Sequence, residues 1–468
     1  MDNQSVGLDV LVIGAGVSGL SAAFGLARRG LAVEVADAGA KPGGVIGSIR
    51  RDGILYETGP NSALDTTPRI GELLEAAGIA GERVDASEVA NTRFVIKDGR
   101  PVPLPTSGGA FLRTSLFSFG AKARLALEPF FRRQDPGREE VIAHFVRRRL
   151  GREFLDYAIE PFVAGIYAGD PERLSVAAAF PKLHALEQRY GSLLLGAMLG
   201  ARERRKRAEK AKNTARSFSF ANGMQTLTDA LALGIDRILL GTRAVSLDRL
   251  PDGSYLVTLE REGEAIRRHA RAVVLAVPAS EAARLAYPLA PDLTRALQEI
   301  EYPPVSVVAS AYRRQDIAHA LDGFGFLAPR VEGRPVLGTL FTSSMFPNRA
   351  PDGSVVLTTF VGGRRNPELA LSADSAITEA VAGEHRKLLG AKAPALWHVV
   401  TRWPRAIPQY ECGHLGRMTL VAQAEQAMPG LRFCANYRGG VSVGDCIASG
   451  SALAESLGAW LRAPVTAG

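Results

Sequence analysis

Three glycines, Gly14, Gly16 and Gly19, stand in the stretch "LDVLVIGAGVSGLSAAFGLARRGLAVEVADA", and a carboxylate, Asp37, follows 23 positions after the first. These residue types at this spacing suit a dinucleotide. Gly14 permits a tight turn, Gly16 lets the main chain approach a pyrophosphate, and Gly19 lets a helix pack closely on a strand. The helix that follows would turn free N–H groups toward the phosphates. Asp37 would accept hydrogen bonds from a ribose diol. A lone Gly-x-Gly-x-x-Gly is weak evidence, but one set between strand and helix with an acid at this distance is specific.

The elements that must position these residues are legible around them. The apolar run over residues 9–13 predicts a buried parallel strand, and "LAVEVAD" predicts a second. Beyond the acid, "AGAKPGGVIGS" places Gly43 and Gly44 after Lys41, a pair that lets a loop fold back over the same pyrophosphate. In "YETGPNSAL", Gly59, Pro60, Asn61 and Ser62 predict a turn whose main chain reaches the far end of the ligand. That much chain suits extended FAD better than NAD. Later pieces add to the unit: a helix then a strand in "FSFANGMQTLTDALA…LLGTRAVSL", a strand ending at Ala276-Val277-Pro278 and then a helix, and "LRFCANYRGGVSVGDCIASG", a strand (431–435), a glycine turn and a helix from about Val441. Its N-terminus would favour the edge of an isoalloxazine that turns anionic on reduction. The nucleotide-binding domain is thus expected in three pieces, 1–80, 218–283 and 415–468. With no second strand–glycine–helix unit for NAD(P)H, electrons are expected to go to oxygen or a quinone, as in an oxidase or desaturase.

Composition excludes other classes. The net charge is +8, but the run from Ala201 to Lys212 carries +5 of it, so the rest of the 468 residues is close to neutral. A nucleic-acid binder spreads its cations along a face. Cys412, Cys434 and Cys446 fit no zinc spacing and read as reduced thiols; the scattered histidines predict no metal site. No apolar run reaches the length of a membrane span, and the N-terminal residues resemble neither a signal nor a transit peptide.

The N-terminal block resembles FAD enzymes of the amine-oxidase superfamily. Four further stretches resemble protoporphyrinogen oxidases: "TRFVIKDGRPVPLP" (92–105), "EPFVAGIYAGDPERLSVAAAFPKLHALEQRYGS" (160–192), "LGTLFTSSMFPNRAPDGSVVLTTFVGG" (337–363) and "CANYRGGVSVGDCIASG" (434–450). The resemblance covers nearly the whole chain. It implies oxidation of protoporphyrinogen IX to protoporphyrin IX in haem synthesis. A noncovalent FAD would take hydride from a ring-bridging carbon and pass electrons to oxygen, giving peroxide, in three rounds. It carries cofactor contacts to Gly14, Ala15, Gly16, Val17, Ser18 and Gly19, to Asp37, Ala38, Val45 and Gly59 through Ser62, to Val245 (main chain to adenine), to Trp403 beside the flavin, and to Val441, Ser442 and Val443. Substrate contacts carry to Arg93, Leu327, Leu340 and Phe360, with Gly169 in a facing loop. Two departures are visible: Val45 where a larger residue is common, and Lys41 where arginine is. Neither removes a main-chain contact. Asn61 and Tyr437 receive no catalytic role.

The chemistry asks for little else. A porphyrinogen is a mostly apolar disc with carboxylates at one edge, so its site needs apolar walls and a cation. Phe360 can stack on a pyrrole, Leu327 and Leu340 can clamp another ring, and Arg93 can pair with a propionate. No acid–base residue is assigned. Asp170 reads as a turn cap rather than a proton acceptor, so catalysis would rest on positioning.

The expected fold is α/β, α+β overall: a discontinuous Rossmann-like FAD-binding domain, a helical membrane-associating domain over 93–200, and a mixed-sheet substrate domain from 81–92, 201–217 and 284–414. Helical patterns lie in "AKARLALEPFFRR", "REEVIAHFVRRRLGREFLDYAIEPFV" and "GSLLLGAMLGARERRKRAEK", and strand patterns in "PPVSVVASAYRR", "RPVLGTLFTS" and "GSVVLTTFVGG". Expected partners are a tetrapyrrole, oxygen, a membrane surface and a second copy in a homodimer, with no nucleic acid. The expected location is the inner face of a membrane, on the cytoplasmic side of a bacterial cell. Coproporphyrinogen III oxidation is the near alternative; an amine oxidase and a non-catalytic membrane-surface adaptor are weaker ones.

Overall fold

The computed structural model describes residues 7–131, 135, 137–206 and 216–463. The strand Leu8–Ile13 is almost wholly buried, and it pairs in parallel with Val33–Ala36 on one side and Glu264–Leu275 on the other. Arg237–Leu239 adds a further parallel strand beyond Val33–Ala36. The long strand Glu264–Leu275 does two jobs. Its first half pairs antiparallel with Tyr255–Arg261, and its last three residues pair in parallel with Leu431–Phe433. The parallel strands therefore end together, and Gly14, Asp37, Ala276 and Cys434 follow them at one edge. Ligands in open α/β sheets bind at that edge.

Two helices cover one face of this sheet, Val17–Ala27 and Val443–Arg462, through Leu20, Phe24, Ile447 and Leu457. Glycine allows their close approach: a Cβ on Gly450 would lie 2.7 Å from the Ser18 carbonyl oxygen, and one on Gly25 2.7 Å from the Ala454 Cβ. The other face is covered by Ala279–Ala286, Pro291–Gln298 and His414–Ala427.

A second seven-stranded sheet runs in the order Trp397–Trp403, Val305–Arg313, Ser354–Gly362, Val336–Leu340, Gly325–Leu327, Arg93–Lys97, Arg100–Pro103. Its three longest expected strands form where the alternation predicts them. One face packs Phe94, Val308, Phe326 and Leu357 against Ile377 and Val381 of the helix Asp374–Leu389.

Three boundaries differ from the sequence expectation. Residues 93–103, assigned to the helical part, form a strand pair in this sheet: Phe94-Val95-Ile96 is fully buried and Asp98-Gly99 makes the turn with positive φ at both residues. Arg83–Asp85, assigned to the substrate part, joins Ala63–Leu64 and Ser217–Phe220, of which only Ser217 was assigned there, in a small sheet beside the nucleotide-binding core. Among the described residues the pattern over "AKARLALEPFFRR" yields the α-helix Phe119–Ala126 and then a 3-10 turn, Glu128–Phe130, since Pro129 has no N–H to continue the α-helix.

The helical part comprises Gly108–Arg113, Phe119–Ala126, Ile142–Arg149, Arg152–Tyr167, Val176–Ala179, Pro181–Tyr190 and Leu193–Lys206. Gly151, at φ 95°, ends one helix and starts the next. The stretch Arg152–Tyr167 contains a π-turn over Leu155–Ile159. Pro161 has no N–H for the carbonyl one turn earlier, and the wider turn absorbs that gap. Arg149 is fully buried against Glu128, 2.6 Å away, and Glu187, while Glu128 also accepts from the Leu193 and Leu194 N–H groups. The basic run of residues 201–212 lies, in its side chains, outside the described residues.

Candidate active site

The phosphate end of the site is built from main chain. Gly14 takes φ 112°, with the Ala276 carbonyl oxygen only 2.5 Å from where a Cβ would sit. A Cβ on Gly19 would lie 2.0 Å from the Gly14 oxygen, so both glycines are sterically required. Gly16 differs, because a Cβ there would project into open space. It is the N-cap of Val17–Ala27, which has no side-chain cap and no acid in its first turn. The helix thus presents unpaired N–H groups and an uncompensated positive end, which suit a pyrophosphate. The loop after Lys41 folds back as expected: Gly43 bridges to Gly16, and its N–H donates to the Ala15 oxygen at 2.8 Å. Ser18 is buried and Val17 half-buried beside this loop.

Asp37 stands at the end of its strand and is half-buried. Its carboxylate accepts the Ala15 N–H at 2.6 Å and the Gly39 N–H at 2.6 Å. The acid therefore holds the glycine turn; Ala38 next to it is exposed. The segment Gly241–Thr242 hydrogen-bonds to Gly39 and Asp37, and Val245 follows three residues on. Val245 sits at a β-bulge, opposite no residue of the neighbouring strand, and its carbonyl accepts from Arg284 at 2.8 Å. A bulge frees main chain from its ladder, which suits contact with an adenine edge.

The far end gathers three segments. A Cβ on Gly59 would lie 2.1 Å from the Val45 carbonyl oxygen, so the turn Gly59–Ser62 touches the loop carrying Gly44 and Val45. Asn61 is buried and accepts from Thr342 at 3.4 Å and Thr358 at 3.2 Å, linking this turn to the second sheet. Ser62 accepts from Ser217 at 2.8 Å. Trp403 Nε1 donates to the Thr58 oxygen at 2.7 Å, fixing its indole beside Gly59 and Pro60. The helix Val443–Arg462 begins with Ser442 as N-cap in a reciprocal pair with Asp445. Val441 packs on the core of the helical part. The Val443 and Gly444 N–H groups have no intrahelical acceptor. Lys41 and Val45 are exposed at the rim.

The substrate candidates converge. Direct partners across a sheet share a face, as do residues two apart. Gly325 pairs with Arg93 and Leu340, Gly338 pairs with Leu327 and Phe360, and Val307 pairs with Phe360 while Val305 pairs with Trp403. Arg93, Leu327, Leu340, Phe360 and Trp403 thus lie on one face, and all five are half-buried. From Arg93 to Phe360 is three strand steps, about 14 Å. Arg93 rests on the Phe324 ring, 5.0 Å from its centroid, and its guanidinium has no ion pair or hydrogen bond among the described residues. Burial lowers its pKa. Lys97, two turns of the pleat away, is already engaged by the Ser115 and Leu116 carbonyls and the Tyr157 ring.

Gly169 is placed differently. It is buried, and a Cβ there would meet Gln409 Oε1 at 2.5 Å rather than the apolar face. The glycine that touches that face is Gly165, one turn earlier in the Arg152–Tyr167 helix: a Cβ on it would lie 2.9 Å from Leu327 Cδ2. A glycine inside a helix costs about 1 kcal/mol, and that cost was the signal available in the sequence. Asp170 accepts from Arg330 at 2.9 Å and from the Glu172 N–H, the cap role expected of it. A second residue missed in the sequence is Arg349, fully buried and paired at 2.9 Å with Glu57. Burial raises the Glu57 carboxyl and lowers the Arg349 guanidinium, each opposed by the partner's charge. Glu57 also accepts the Met224 N–H at 3.0 Å, so this pair ties the strand Ile54–Glu57 to the start of the helix Gln225–Leu233.

The model of flavin containing amine oxidoreductases matches residues 17–457. The chain belongs to that family. It is a flavoprotein oxidoreductase, and the open cradle at Gly16 and the uncapped helix fit FAD. The chain is 33% identical to the protoporphyrinogen oxidase, mitochondrial, of Nicotiana tabacum, over 99% of this chain and 97% of that one. It is 27% identical to the coproporphyrinogen III oxidase of Bacillus subtilis (strain 168), over 95% and 96%. A triple mutant of putrescine oxidase shares the fold, with a TM-score of 0.71, 17% identity and coverage of 97% and 99%.

Proposed function

We propose that this flavoprotein oxidises protoporphyrinogen IX to protoporphyrin IX, in haem synthesis, with oxygen as the acceptor. One observation carries the reading: a single guanidinium, Arg93, left without a carboxylate among the described residues, at one edge of an apolar face formed by Leu327, Leu340 and Phe360. That arrangement matches a greasy disc whose carboxylates lie along one edge. Coproporphyrinogen III is the second reading. The Bacillus subtilis relative favours it, but its further propionates would want further cations, and Lys97 is engaged elsewhere.

FAD, when bound, would supply a hydride acceptor that oxygen could reoxidise. Gly14 through Gly19, Asp37, Gly43, Gly44, Gly59 through Ser62, Val245 and Val441 through Val443 would hold it. Phe360 and the two leucines would hold the macrocycle flat, Arg93 would fix its direction, and Gly165 would leave room against Leu327. Arg93, Leu327, Leu340 and Phe360 offer no side chain suited to general base catalysis, so positioning would do most of the catalysis. Pyrrole protons would pass to solvent at the open rim.

A lipid surface is the proposed location. Phe119 is 86% exposed, Phe130 84% and Leu112 71%, all in the helical part. No helix among the described residues is long and apolar enough to cross a membrane. A homodimer is part of the same proposal. The test offers the purified yellow protein both porphyrinogens and an amine, following porphyrin fluorescence and peroxide. Fluorescence from protoporphyrinogen at the higher kcat/KM is expected. Turnover of the amine alone, or of neither porphyrinogen, overturns the reading.

A further inference from the structure

The turn Asn436–Gly440 leads into the helix whose first N–H groups are placed at the flavin. Two successive glycines, Gly439 at φ 83° and Gly440 at φ 127°, shape it. Gly440 also has no room for a side chain, since a Cβ would lie 2.4 Å from Asp445 Oδ2. Two glycines in these conformations have many alternatives, so something else must select this one. One hydroxyl spans the turn. Tyr410 donates to the Asn436 oxygen at 2.7 Å and accepts the Gly440 N–H at 3.1 Å. Without it both half-buried main-chain groups would lose this partner.

The ring that carries this hydroxyl is itself fixed. It stacks on His414 with centroids 4.0 Å apart and planes at 15°. Its other neighbour is Tyr167, at 5.7 Å, in the helix that contacts Leu327. The Tyr410 main chain is held too, because its carbonyl accepts the Ser175 N–H at 2.9 Å. Val441, directly after the turn, packs into the same helical core as Tyr410. Burial raises the phenol's pKa, so it stays a donor at any working pH.

We propose that Tyr410 is a positioning residue for the flavin: its hydroxyl bridges Asn436 and Gly440, and so sets the aim of the Val441–Val443 main chain at the cofactor. This rests on the placement of FAD proposed above. A helix N-terminus stabilises an electron-rich flavin only if its N–H groups point at it. Losing the bridge therefore weakens FAD binding and lowers the flavin's midpoint potential, while the apolar pocket for substrate stays as it is.

The test compares Tyr410→Phe with Tyr167→Phe, both in the full-length holoprotein. The second variant loses a hydrogen bond to the Ala179 oxygen in the same cluster but none to the turn. Tyr410→Phe is expected to raise the FAD dissociation constant about tenfold, as loss of roughly 1.4 kcal/mol gives, to shift the visible flavin bands and to make the potential more negative. Tyr167→Phe is expected to lower the melting temperature with the parent's spectrum and potential. Parent-like FAD affinity, spectrum and potential in Tyr410→Phe overturn the proposal, as does the same shift in both variants. Amide hydrogen exchange at Gly440 in the unaltered apoprotein adds a measurement that needs no variant and no flavin. Strong protection is expected, and rapid exchange overturns the proposal even where Tyr410→Phe fails to fold. None of these readouts uses a porphyrinogen, so an error in the substrate reading would leave them unchanged.

Discussion

Replacing Arg93 with leucine tests the substrate reading at its narrowest point. The guanidinium is half-buried against Phe324 and has no anionic partner among the described residues, so it is already partly desolvated before any ligand arrives. A propionate that pairs with it gains a charge-assisted hydrogen bond worth about 1.5–3 kcal/mol, a factor of roughly 10–150 in kcat/KM. Arg93 lies on the sheet away from the flavin end, so it should hold ground and transition states alike. The loss should then appear in KM, with kcat little changed. Stability should move by less than about 1 kcal/mol, because a cation–π contact of that size is lost while burial of an unpaired charge is relieved. The assay follows porphyrin fluorescence with protoporphyrinogen and with its dimethyl ester. The variant should lose activity on the diacid and keep the parent's activity on the ester. An equal loss on both, or a diacid KM within about twofold of the parent's, which is only ~0.4 kcal/mol, would refute the propionate contact.

Other outcomes follow from buried groups. Arg349→Met strands the Glu57 carboxylate and should lower the urea-measured stability by about 3–5 kcal/mol, while adding Glu57→Gln should restore much of it. Gly59→Ala drives a methyl to 2.1 Å from the Val45 oxygen; the flavin-to-protein absorbance ratio should fall sharply, and a fully loaded variant would contradict the tight turn. His385 is wholly buried between Tyr312 and Thr359, and burial lowers its pKa to about 3; burial likewise lowers that of His414 to about 4. Both folded values lie below the unfolded one, so their stability is complete above a pH of about 6.5 and is lost as the pH falls toward 4, at about 1.4 kcal/mol per unit for each. Urea midpoints at neutral and acid pH should show this loss, and His385→Asn should flatten it by about half.

The nucleotide-binding edge was readable because its determinants are local. Gly14, Gly16, Gly19 and Asp37 lie within one strand–helix–strand unit, where Gly19 meets the Gly14 oxygen and Asp37 accepts the Ala15 N–H. The substrate strands were readable for a similar reason, since "SVVLTTF" is rich in β-branched residues and is bounded by Asp352-Gly353 and Gly362-Gly363. Which face Arg93 would share was not readable from such local pattern. It depends on pairing Gly325 with both Arg93 and Leu340, a register set by contacts between distant parts of the chain. The same distance hides the Glu57–Arg349 pair, because neither residue is unusual in its own neighbourhood. Gly165 and Gly169 share one motif and differ only in which side of a helix end they face. The helix ends between them at Ala168, which takes a left-handed φ of 47°, and periodicity alone does not foresee that end.

The close packing of the Val17–Ala27 helix on Val443–Arg462 has a consequence for how the enzyme is made. A ribosome delivers the glycine turn early and its partner helix only after more than four hundred further residues, as the Cys434–Ser18 contact across 416 positions marks. Until then the side of the Val17–Ala27 helix that meets Val443–Arg462 at Gly25 has no cover. Cofactor loading must therefore be a late event, and a chain released before Val443 would present bare apolar surface to its neighbours instead of a yellow enzyme.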